Sequence, residues 1–197
     1  EFCDAAMPLF DLQASRLVQE EQTSVSWDPS EKSRTSASDA LTRLASLSEG
    51  DAARKLLEMA EGAKDGALFP TDLQPLLVGC AGATLNIVVS ESGIDDITSP
   101  IPAGIVATAV SNDGETTAYG VSPIGKDDGV QEFLDDVESE TVEPPAFFQT
   151  TAKDGSVSVF RLEAGRYAVS AFTSTGLDSH AAAPIPGAEF VRIIDVE

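Results

Sequence analysis

The sequence predicts an α+β protein: a small helical bundle over residues 1–80, packed on a Greek-key β-sandwich over residues 81–197. Two observations carry this. Apolar residues recur every three to four positions through the first 80 residues and at every second position from residue 83 onward. The second half also holds seven or so short apolar runs, and the turn formers Asn112-Asp113-Gly114 and Asp154-Gly155 punctuate them. At 42% hydrophobic residues, the 197-residue chain can bury a sizeable core.

The helical elements follow in order. Ala5–Gln19 reads as a first helix, with Pro8 in its first turn and Leu9, Phe10, Leu12, Ala14 and Leu17 on one stripe. Residues 23–36 are polar, contain Pro29 and read as a connection, with Trp27 as a plug or an exposed ligand-stacking ring. A second helix carries Leu41, Leu44 and Leu47 on one face. Ser48, with Asp51 three residues on, resembles the N-terminal cap of a third helix. That helix carries Leu56, Leu57 and Met59, and Gly62 can end it. A short last helix holds Leu73, Leu76 and Leu77, with Thr71 as its cap and Pro75 limiting its start.

The strands begin at ATLNIVVS, where Leu85, Ile87 and Val89 alternate with polar or smaller neighbours. GIVATAVSN, TTAYGVSP, AFFQTTA, SVSVFRL, RYAVSAF and EFVRIIDVE read as the further strands. One helix interrupts them near residues 129–138, with Val130, Phe133, Leu134 and Val137 inward. Leu162-Glu163-Ala164-Gly165-Arg166-Tyr167 fits a tyrosine corner, in which a phenol bonds back to the preceding loop.

Composition excludes several functions. The formal net charge is −21, and residues 81–197 carry 5 basic against 19 acidic groups. Nucleic acid and anionic membranes are therefore not expected as partners, because both call for clustered Lys and Arg. No apolar run approaches the roughly 20 residues of a membrane span. The acidity reads either as a solvated face, as in salty habitats, or as a cation-binding surface. Cys3 and Cys80 are the only cysteines. An even count in a chain that looks exported suggests one disulfide, and a lipid-bearing Cys3 is the alternative. The chain opens without a signal peptide, so an export signal removed ahead of residue 1 is the expectation. The expected location is extracellular or the cell envelope.

Residues Ala83 to Glu197 resemble the cupredoxin-like domains of exported bacterial proteins. The resemblance rests on Ile101-Pro102-Ala103-Gly104 leading into IVATAVSNDGE, on TTAYGVSPIG, and on LEAGRYAVSAF followed by a loop with His180. It implies copper ligands at set places, and most are missing. Thr117-Ala118-Tyr119 stands where one His is expected, Ala171 or Phe172 where the Cys thiolate is expected, and Ala181-Ala182-Ala183 where a Met usually ends the loop. His180 alone matches. A trigonal blue-copper centre needs two imidazoles and a soft thiolate, so this chain is not expected to hold one.

Other sites are weaker. His180 is the single histidine, and with Asp178 it could make a weak metal contact. A Ser-His-Asp reading of Ser174 or Ser179, His180 and Asp178 lacks the required geometry and the G-x-S-x-G elbow. Lys126-Asp127-Asp128-Gly129 falls short of a calcium loop, and Asp127 or Asp128 is expected to cap the helix that follows. Trp27 and Tyr119 remain as possible ligand contacts. The reading that follows is a non-enzymatic binding or scaffolding protein without a cofactor, whose partner is another protein or a cell-surface component. Two alternatives stand beside it: a metal-handling accessory protein (copper or iron) using His180 and acidic residues, and a hydrolase with an interdomain cleft.

Overall fold

The computed structural model describes residues 1–23, 28–68, 72–112, 117–139, 141, 145–150, 157–173, 183–185 and 187–197. Its contacts divide the chain into two compact units, Glu1–Cys80 and Ala81–Glu197.

The first unit holds α1 (Phe2–Thr23), α2 (Glu31–Ser46), α3 (Gly50–Lys64) and α4 (Leu73–Leu77), followed by a 3-10 turn over Val78–Cys80. α2 packs against both α1 and α3. Its buried side is Ala37, Ala40, Leu41, Leu44 and Ala45; α3 buries Leu56, Ala60 and Ala63, and α1 buries Ala5, Ala6, Leu9 and Phe10. Small alanines let helices approach closely, so a stripe with few large side chains still excludes water.

Several boundaries differ from the sequence reading, each for a local reason. α1 starts at Phe2, so Pro8 lies inside the helix and not in its first turn. The missing N–H costs about 3 kcal/mol or more in a helix interior. Burial of Ala5 and Ala6 before the proline and of Leu9 and Phe10 after it offsets that cost. Ala14 is exposed, and Leu17 lies outside the residues whose side chains are described. α2 begins at Glu31, inside the stretch read as a connection, because Ser30 caps it: the Ser33 N–H donates to Ser30 Oγ at 3.2 Å. Leu47 is the C-cap of α2 and is 40% exposed. Ser48 caps nothing; its hydroxyl donates to the Leu44 carbonyl, and α3 is preceded by Glu49 without a side-chain cap. In α3 the inward residues are Leu56, Ala60 and Ala63, whereas Leu57 is 50% exposed. The helix runs past Gly62 to Lys64, and Gly66, at φ +99°, turns the chain afterwards. Pro75 sits within α4, and Thr71 lies outside the described residues.

Cys3 and Cys80 are joined in a disulfide. The bond ties the first turn of α1 to the last residue of the helical unit, and it occupies the thiol that lipidation of Cys3 would need.

The second unit is a sandwich of two sheets. One has the order β2 (Gly93–Ile94), β1 (Ala83–Ser90), β3 (Gly104–Asn112), β6 (Val157–Leu162). The other has the order β5 (Phe147–Thr150), β4 (Thr117–Ile124), β7 (Gly165–Thr173), and β7 is flanked on its far side by β8 (Ala183–Pro184) and β9 (Val191–Val196). β1 and β3 run parallel and the other paired strands antiparallel. The connections β3 to β4, β5 to β6 and β6 to β7 pass from one sheet to the other, which gives the expected Greek-key sandwich. The turns at 113–114 and 154–155 fall outside the described residues.

Alternation places the core. Leu85, Ile87 and Val89 of β1, Val106 and Val110 of β3, and Phe160 and Leu162 of β6 face Tyr119 and Val121 of β4, Phe147 of β5, Tyr167, Val169 and Ala171 of β7, and Ile194 and Val196 of β9 in a single buried cluster. Phe147 stacks on Phe160 with ring centroids 4.1 Å apart, joining the edge strands of the two sheets. The tyrosine corner is present, with the Tyr167 hydroxyl donating to the Glu163 carbonyl at 3.0 Å.

The outer side of the second sheet is covered by α5 (Val130–Glu138), whose Phe133 is buried with Ala168 and Val191. Val130, Leu134 and Val137 pack at the rim of this cluster. Neither Asp127 nor Asp128 caps α5. Its N-cap is Gly129, whose N–H donates to Glu132 at 3.0 Å, while Asp128 accepts from the Gly125 N–H and tightens the preceding turn.

Gly93 opens β2 at φ +127°, and a Cβ there would run into the backbone carbonyl of Glu189. Gly93→Ala therefore combines left-handed strain with a clash against main chain, which cannot swing away. The expected loss is about 2–3 kcal/mol by chemical denaturation. A variant as stable as the parent would show that the β1–β2 hairpin is not held against this segment.

Candidate functional site

The candidate site lies between the sheets, where β4 meets β7. The antiparallel register sets Tyr119 opposite Ala171, Ala118 opposite Phe172 and Thr117 opposite Thr173. The sequence positions that the resemblance assigns to a copper-binding His and Cys are thus true neighbours in the sheet. Tyr119 and Ala171 both belong to the central cluster and both are fully buried.

Tyr119 spans the sandwich. Its hydroxyl lies 2.6 Å from Thr108 Oγ1 on β3, in the opposite sheet. Thr108 pairs in register with Ser158 of β6, so the phenol meets a pair of hydroxyls on adjacent strands. The Ser158 hydroxyl is buried beside it without a hydrogen bond of regular geometry. The Tyr119 ring tilts against Phe147, with centroids 5.7 Å apart, and Phe147 in turn stacks on Phe160. Burial pushes the phenol up to about 12, and the Thr108 and Ser158 hydroxyls only partly offset it. Tyr167 is also raised, by its own burial, against the opposing hydrogen bond to the Glu163 carbonyl.

Both shifts act on stability in the same direction. A phenol whose pKa is higher folded than unfolded holds its proton more tightly in the native state. The stabilisation is complete below pH 10, the ordinary phenol value, and is lost as pH rises towards about 12 for Tyr119. Alkaline titration followed at the phenolate absorbance should therefore show Tyr119 ionising late and together with unfolding of the sandwich. Ionisation at pH 10 with the fold intact would show the ring to be accessible.

The arrangement can do little acid–base or redox chemistry. Three neutral hydroxyls in an apolar core supply no base, no nucleophile and no soft metal donor. Tyr119 was a possible ligand contact by sequence; with no exposed surface, its ring reaches core neighbours and not a ligand arriving from solvent. His180, Asp178 and Trp27 lie outside the described residues. Among the described residues no group of three or more His, Cys, Asp or Glu side chains could hold a metal ion, and no helix is long and apolar enough to cross a membrane.

Thr108 and Ser158 were not singled out by sequence. The signal was present: Val106, Thr108 and Val110 share one face of β3, as Ser158, Phe160 and Leu162 share one face of β6. A lone hydroxyl on an otherwise apolar face marks a buried hydrogen bond. The sequence cannot say which side chain from the other sheet completes it.

The residues do not fit a blue-copper centre. Ala171 offers no thiolate, Cys3 and Cys80 are bonded to each other, and Met7 and Met59 belong to the helical unit. One histidine cannot supply two imidazoles. The second unit is a two-sheet Greek-key sandwich, and the sequence supplies no blue-copper ligand set for it. No family model matches the chain, and no curated protein sequence matches it significantly. Solved structures do. Reduced auracyanin from Roseiflexus castenholzii is 10% identical, with a TM-score of 0.38, over 59% of this chain and 98% of that one. Reduced rusticyanin is 15% identical, with a TM-score of 0.34, over 59% and 81%. Auracyanin A, a "blue" copper protein from Chloroflexus aurantiacus, is 12% identical, with a TM-score of 0.32, over 59% and 100%.

Proposed function

We propose that this chain is an exported or cell-envelope protein that binds or scaffolds another protein or a surface component, using a cupredoxin-like sandwich without copper and without catalysis. One observation carries the reading: the register pair that would bring His and Cys together is Tyr119 and Ala171, buried and locked into the core through Thr108. A sandwich packed in this way is a rigid body, and loops displayed on a rigid body are the usual place for contacts. The disulfide supports export, because such bonds persist in oxidising compartments. The strongly acidic second unit favours a partner with a basic or neutral face over nucleic acid or an anionic membrane.

Titration of the purified protein with Cu²⁺, Fe and Ca²⁺ tests the first part. The expected outcome is no stoichiometric uptake and no intense visible absorption with Cu²⁺. Stoichiometric binding lost in His180→Ala would replace this reading with metal handling. Fractionation of the native host tests the second part: the protein should be recovered outside the cytoplasm with no free thiol, and a cytosolic protein with both thiols reactive would end the export reading. In-cell crosslinking should trap one discrete complex, and a chain that remains uncrosslinked would count against a binding role.

A further inference from the structure

We draw no further inference here: the strongest candidate, the buried Thr108–Tyr119–Ser158 hydroxyl cluster between the two sheets, belongs to the site already described and shows no ligand chemistry beyond the packing role derived for it.

Discussion

Replacing both cysteines, Cys3→Ala with Cys80→Ala, is expected to destabilise the helical unit by about 4 kcal/mol. The bond joins residues 77 positions apart, and the chain-entropy scaling gives about 4.5 kcal/mol for a loop of that length. The unit depends on such help. Its buried side chains are mostly Ala and Leu, and α1 carries a proline inside. An 80-residue unit has little stability to spare, so a loss of this size should lower its melting midpoint by about 15 °C or more. Both cysteines lie within residues 1–80, so the loss is expected first in the helical signal. Circular dichroism at the helical minimum, read against the near-ultraviolet tyrosine signal, separates the two units. An unchanged helical midpoint would show that the bond closes a unit already held by packing alone.

Tyr119→Ala is expected to cost the sandwich about 4 kcal/mol. The ring is fully buried, packs on Phe147 and bridges the sheets through Thr108, so truncation leaves a cavity and an unpaired hydroxyl together. Tyr119→Phe separates the two contributions. It keeps the packing and removes the hydrogen bond, and should cost about 1–2 kcal/mol. Urea denaturation of both variants, analysed at constant slope, reads the difference. A loss below about 1 kcal/mol for the alanine variant would mean that the sheets close without this side chain. The core reading of the site would then fail.

Where a single face decides burial, the sequence was a good guide. Leu85, Ile87 and Val89 alternate with a period of two and are buried together. Val130, Phe133, Leu134 and Val137 keep helical spacing and all line the sheet. The tyrosine corner could be read because its hydrogen bond spans four residues and is set by local chain geometry. Helix ends were less legible. The sequence reading offered Ser48 as a cap and not Ser30, and only the backbone path decides that Ser30 accepts an N–H while Ser48 donates to Leu44. Leu57 keeps helical spacing with the other leucines, yet it lies 50% exposed while Leu56 is buried, because the tertiary packing sets which edge of the stripe is covered.

The sequence by itself determined the α+β class, the change from helix to strand near residue 83 and the lack of residues for a copper ligand set, whereas the choice between a disulfide and a lipid-bearing Cys3 needed the structure. The first three depend on periodicity, composition and counting, which are properties of the chain alone. The tertiary structure decided that Tyr119 joins the core between the sheets, and what it touches there. Strand register is a relation between segments about 50 residues apart, and a slip of one residue would turn the opposite set inward. Only the folded pairing of β4 with β7, and the closing of one sheet on the other, puts Tyr119 beside Ala171 and its hydroxyl on Thr108.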